Sequence, residues 1–176
     1  MEDEILDENL TVEYRKYDSQ TIVRINDAKI QLGEDLNNII TGRTTLFALF
    51  GLNVLGLFVG MITDEYGDLF VGTVLEFVVL GCFYLLLGYL VPRRPLLYLA
   101  LGVGLYVLVL IGNAIIMSET IFVGFFVKIA VFYGFFRGIS GALSLRRTKE
   151  RLSSLGVPEE EIKQAIRTLK PIPRTG

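Results

Sequence analysis

Four apolar runs, Thr44–Ile62, Leu69–Val91, Leu96–Met117 and Ile121–Leu143, fill the middle of this 176-residue chain. Each is close to or longer than the ~20 residues with which a helix, rising ~1.5 Å per residue, crosses ~30 Å of hydrocarbon. Hydrocarbon offers no water to backbone N–H and C=O groups, so segments of this kind have to be helical. Buried helices of a water-soluble bundle are shorter and keep a polar stripe, which these runs lack. The expected fold is all-α: a polytopic membrane protein with a four-helix transmembrane bundle over 44–143, flanked by segments 1–43 and 144–176.

Basic residues orient the bundle, because lysine and arginine bias flanking segments toward the cytoplasm. Arg15, Lys16, Arg24, Lys29 and Arg43 precede the first run. The turn VPRRP between the second and third runs holds Arg93 and Arg94, and the tail carries eight bases from Arg146 to Arg174. The other two connections, TDEYGD and SET, contain none. Both termini are therefore expected in the cytoplasm, with Arg137 near the inner end of the fourth span, where it can snorkel. Pro92 and Pro95 bracket a turn in which helix breaking costs nothing. In the absence of Trp, Tyr66, Tyr89 and Tyr98 are the expected interfacial aromatics. The acidic opening MEDEILDEN is not expected to be a cleaved secretory signal.

The flanks are patterned as well. Ile25, Ala28, Leu32, Leu36, Ile39 and Ile40 recur at helical spacing, with Asp18 or Ser19 available as N-cap, and predict an amphipathic helix at the inner interface. It is expected to lie on the membrane, to lie against the inner ends of the bundle, or to dock a partner. The fourth span is expected to extend as a basic helix to Leu155 and to stop at Gly156. Beyond it, Pro158 followed by Glu159, Glu160 and Glu161 marks a new helix start. Ile162, Ile166 and Leu169 give that helix an apolar stripe too small to stand alone, so it has to pack on something.

Residue usage removes several chemistries. With no His there is no HExxH zinc site, Ser-His-Asp triad or imidazole relay, and Cys82 alone forms neither a disulfide nor a thiolate metal cage. No span contains the Asp that a paired-aspartate intramembrane protease needs, and there is no Gly-rich phosphate loop or nucleophile elbow. No catalytic residue, metal site or cofactor is expected, and no nucleic acid as partner.

Inside the runs the ionisable residues stand out. Glu76 is the one acid there, and Lys128 the one base far from a run's end. Leu69-Phe-Val-Gly-Thr-Val-Leu-Glu76 aligns with Ile121-Phe-Val-Gly-Phe-Phe-Val-Lys128 at an offset that also brings Ala48 onto Ala100 and Gly60 onto Gly112. This is the pattern of a duplicated two-span hairpin, a 2+2 internal repeat, although apolar stretches rich in Phe, Val and Gly also match by chance. Both charges fall ~10 Å deep from the outer side at ~1.5 Å per residue, and Asn53 and Asn113 lie near the same layer. A structural intramembrane salt bridge, separate snorkelling to headgroups, and a transport pathway are the competing roles of the pair.

Small residues mark helix-packing faces: Gly56 and Gly60 on the first span, and Ala130, Gly134, Gly138 and Ala142 at four-residue spacing on the fourth. Arg146, Arg147, Lys149 and Arg151 form a basic cluster that either contacts anionic lipid headgroups or only fixes topology. The stretch from Lys128 through Gly134, Arg137-Gly-Ile and Ala142 into the basic helix resembles the last span of small four-span bacterial membrane proteins, with weaker similarity around Gly42-Arg43 and Asn53. That resemblance implies the bacterial cytoplasmic membrane and carries no activity.

The expected function is non-enzymatic: a scaffold, accessory subunit or membrane anchor that assembles through its helices as a homo-oligomer or as a subunit of a membrane complex, in contact with lipids. The alternative is a small transporter or channel subunit built on the Glu76/Lys128 layer. Four helices leave little room for a pore, so the alternative needs an oligomer.

Overall fold

The computed structural model describes residues 19–63, 70–116 and 125–173, the side chains of residues 63, 70–73, 76 and 116 excepted. Among the described residues the chain is all-helical, in the order α1 (Ser19–Thr63), α2 (Phe70–Leu90), α3 (Pro95–Ile116), α4 (Phe125–Ser154) and α5 (Glu159–Thr168). Helices α1, α3 and α4 are long and apolar enough to cross a membrane, and α2 carries a shorter apolar stretch, Phe77–Leu90, among those residues. Large apolar side chains point away from the protein along all four: Ile62 is 82%, Phe126 85% and Phe136 74% exposed. In water such a surface is an aggregation hazard, whereas lipid tails solvate it.

The amphipathic segment and the first apolar run form one helix of 45 residues, about 67 Å at ~1.5 Å per residue. Composition changes sharply at Gly42-Arg43, but the backbone hydrogen-bond ladder does not read composition. Glycine inside a helix costs roughly 0.5–1 kcal/mol relative to alanine. At Gly42 it permits a close approach, because a Cβ there would stand 2.9 Å from Gly138 Cα. The apolar face of the amphipathic half, Ile25, Ala28, Leu32, Leu36 and Ile39, is buried by protein rather than laid on a bilayer, while Ile40, at the stripe's edge, stays 36% exposed.

Helix α4 extends past its apolar run and pairs with that half of α1, the most extensive helix contact in the fold. It ends in a Schellman arrangement. Gly156 takes φ 85°, Val157 N–H donates to Leu152 O at 3.2 Å, and Gly156 N–H donates to Ser153 O at 3.1 Å. Val157 and Leu152 are both buried, the apolar contact that usually accompanies this motif. The chain then folds back. Pro158 precedes α5, whose first turn holds Glu159, Glu160 and Glu161 against the positive end of the helix dipole. Leu169 closes α5 in the left-handed region at φ 52°. A branched side chain normally avoids that region; here it is 6% exposed, and Pro171 keeps the helix from continuing.

Ile162 and Ala165 of α5, then Leu169 and Ile172, complete one buried cluster with α1 and α4. The tail reaches back to α1: a Cβ on Gly33 would stand 3.5 Å from Pro171 Cβ, and Lys29 Nζ donates to Pro173 O at 3.2 Å. Two long helices and a strap across them thus form a compact stalk beyond the apolar half. Helices α2 and α3 are joined by the tight Val91–Arg94 turn, in which Arg93 N–H donates to Leu90 O at 2.9 Å. Such a short connection makes them antiparallel neighbours.

Candidate functional site

The polar half of the α1–α4 pair is held by buried hydrogen bonds. Asp35 sits on the same face as Leu32, Leu36 and Ile39 and is 5% exposed. Its Oδ2 accepts from Thr148 Oγ1 at 2.7 Å, and its Oδ1 accepts from Ser144 Oγ. Ser144 and Thr148 are one helical turn apart on α4, so both hydroxyls meet the carboxylate from the same face. One turn further along α1, Arg137 Nε donates to Asn38 Oδ1 at 3.0 Å. Burying a carboxylate is expensive unless its oxygens find donors, and here both do.

Glycines set how closely the pair approaches. A Cβ on Gly138 would stand 2.8 Å from Gly42 Cα, and one on Gly141 would stand 2.6 Å from Asp35 O. On Gly134 it would collide with Thr45 Oγ1. Thr45 Oγ1 itself donates to Thr41 O at 3.0 Å.

A second constellation lies where α1 and the α2–α3 turn face α5. A cleft of about 1050 Å³ is lined by Arg43, Tyr89 and Arg93 from α1, α2 and the α2–α3 turn, and by Glu160, Lys163 and Arg167 from α5. Arg43 is fixed: its Nε donates to Gly88 O at 3.0 Å, capping a carbonyl in the last turn of α2, and its guanidinium lies 5.2 Å from the centre of the Phe47 ring. Arg93 lies 5.9 Å from the centre of the Tyr89 ring. Lys163 Nζ is 3.3 Å from Glu159 Oε1, which Lys149 also reaches at 3.2 Å. Hydrogen bonds from Lys149 and Lys163 hold the Glu159 carboxyl below its ordinary range.

The residues singled out from sequence are distributed as follows. Glu76 lies in α2, with its side chain outside the described residues. Lys128 is half-buried near the start of α4. The Asn53 amide is used within its own helix, donating to Leu49 O at 2.8 Å, and Asn113 faces outward. A Cβ on Gly56 would stand 3.2 Å from the Phe77 ring, and Gly60 is buried. Within the α4 stripe, Gly134, Gly138 and Ala142 are buried and Ala130 is exposed.

Arg137, placed near the inner end of the fourth span, is hydrogen-bonded to Asn38. The four bases of the cluster differ in their partners. Arg146 pairs with Glu150 at 3.2 Å, Lys149 with Glu159, and Arg151 reaches Gln31 at 3.5 Å, while Arg147 is exposed. Asp35 was not among the residues singled out from sequence. Its signal is an acid on an apolar face together with Ser144 and Thr148 at four-residue spacing on the partner helix. No protein family, curated protein or solved structure matches this chain.

Proposed function

We propose that this is a four-span, non-enzymatic protein of the bacterial cytoplasmic membrane, with both termini cytoplasmic, which acts as a scaffold or accessory subunit. The observation that carries the proposal is the length and pairing of α1 and α4. At about 67 Å, α1 is roughly twice the ~30 Å thickness of the hydrocarbon. Its polar half is zipped to α4 by Asp35, Ser144 and Thr148 and strapped by α5. Two spans continued as one packed stalk present a rigid cytoplasmic platform, which suits assembly better than turnover. In this scheme α2 is the remaining span, and the hairpins α1–α2 and α3–α4 are the two halves of the repeat.

Extraction of the full chain in mild detergent, followed by mass determination, tests the proposal. A defined oligomer or a stoichiometric complex is expected, retained in Lys128→Met. A monomer that carries an ion flux in proteoliposomes, abolished by Glu76→Gln, would instead establish the transporter alternative. Labelling of Ser153→Cys and Ser118→Cys in a Cys82→Ser background checks the topology: reagents confined to the outside should reach position 118 and not 153.

A further inference from the structure

We propose that the cleft between the α2–α3 turn and α5 binds the phosphate of an anionic phospholipid headgroup. Four cations, Arg43, Arg93, Lys163 and Arg167, line it together with the carboxylate Glu160, and Lys163 also pairs with Glu159 at 3.3 Å, which leaves the three arginines in excess. Guanidinium groups recognise phosphate oxygens through paired N–H donors, and lysine adds a mobile point charge. Arg43 is already oriented, since the bond from its Nε to Gly88 O leaves the two terminal nitrogens of the guanidinium for a ligand. Glu160 supplies an acceptor for a headgroup hydroxyl.

The surroundings favour a lipid over a free phosphate ester. Arg43 directly precedes the apolar run of α1, and Arg93 lies three residues past the end of α2, so the cleft lies at the level where the helices leave their apolar stretches. One lining residue, Tyr89, is 65% exposed and heads an outward apolar strip down α2. Leu86 and Leu85 lie three and four residues before Tyr89, and Val79, Val78 and Leu75 continue the strip, all exposed. A headgroup seated in the cleft would lay its acyl chains along that strip. Because Lys163 and Arg167 belong to α5, the bound lipid would also staple the strap to the membrane-facing helices. The Arg146–Arg151 cluster contributes no lining residue to this cleft.

The test uses the full chain in neutral detergent and native mass spectrometry with phosphatidylglycerol or phosphatidylcholine of equal chain length. Arg93→Gln/Lys163→Gln/Arg167→Gln is compared with Arg94→Gln/Arg146→Gln/Arg147→Gln, which removes the same charge outside the cleft. Phosphatidylglycerol is expected to be retained over phosphatidylcholine, with a loss of roughly tenfold or more in the first variant and about twofold or less in the second. Arg93→Lys/Lys163→Arg/Arg167→Lys should keep most of the binding, which separates lost recognition from lost folding. Equal retention of the two lipids, or equal losses in the two glutamine variants, would overturn the proposal. Displacement of the lipid by millimolar glycerol phosphate would overturn the lipid assignment in favour of a soluble phosphate ester.

Discussion

Thr148 and Asp35, 113 residues apart in sequence, share a 2.7 Å hydrogen bond in a layer from which water is excluded. The bond joins the polar extensions of the first and last long helices, with Ser144 serving the second carboxylate oxygen. It fixes the register of the α1–α4 stalk in a way that the leucines and isoleucines around it do not, since apolar contacts tolerate sliding and a buried carboxylate does not.

Thr148→Val keeps the shape of the side chain and removes the donor, so it should destabilise the protein by about 1–3 kcal/mol through the unsatisfied Asp35 oxygen. Asp35→Leu should cost a similar amount, and the double variant less than the sum, with a coupling of roughly 0.5–3 kcal/mol. Unfolding titrations in mixed micelles measure all three. Strict additivity would show that the bond does not couple the helices.

Gly138→Ala places a methyl group against the Gly42 backbone, which cannot rotate away. The helices must separate, at a cost of about 1–3 kcal/mol in the same titration. Gly104→Ala in α3 meets nothing within 4 Å and should be neutral or stabilising by up to about 1 kcal/mol. A larger effect at Gly104 than at Gly138 would contradict the packing described above.

Acid should loosen the strap. Hydrogen bonds from Lys149, then Lys163, depress the Glu159 carboxyl below its ordinary 4.5. A group with a lowered folded pKa contributes stability above its unfolded pKa, and the contribution is lost as pH falls through the folded value. Melting temperature should therefore drop less steeply below pH ~4.5 in Glu159→Gln than in the parent protein. The carboxylate is exposed, so the difference should be small and should shrink at ~1 M salt, where the screening length is ~3 Å. Identical pH profiles would show that the pairs with Lys149 and Lys163 contribute nothing.

Glu76 and Lys128 are expected to act as a pair. Glu76→Gln and Lys128→Met should each destabilise, and the double variant should recover part of the loss, because removing one partner strands the other in hydrocarbon. Independent, additive effects in the same titration would favour separate snorkelling.

The helices themselves were legible because their causes are local. Apolar runs of about 20 residues, the pause at Pro92 and Pro95, the stop at Gly156 and the Glu159–Glu161 start each act within a turn or two. The apolar face Ile25–Ile39 was legible as a stripe, but not what covers it, since a stripe records a need for burial and not the identity of the neighbour. The basic residues were readable as topology signals, yet which of them converge was not. Arg43, Arg93, Lys163 and Arg167 come together because α5 folds back, whereas consecutive residues such as Arg146 and Arg147 point to different sides of one helix.

What the sequence by itself determined is a chain of long apolar helices with basic flanks, because hydrocarbon demands internally satisfied backbone and lysine and arginine resist crossing it. The tertiary structure alone decided that the amphipathic segment continues the first long helix and packs on the last one. That outcome depends on contacts between residues a hundred positions apart: Gly42 against Gly138, Asn38 with Arg137, and Asp35 with Thr148. Each is worth something only when both partners arrive together, so neither half of the chain announces it alone.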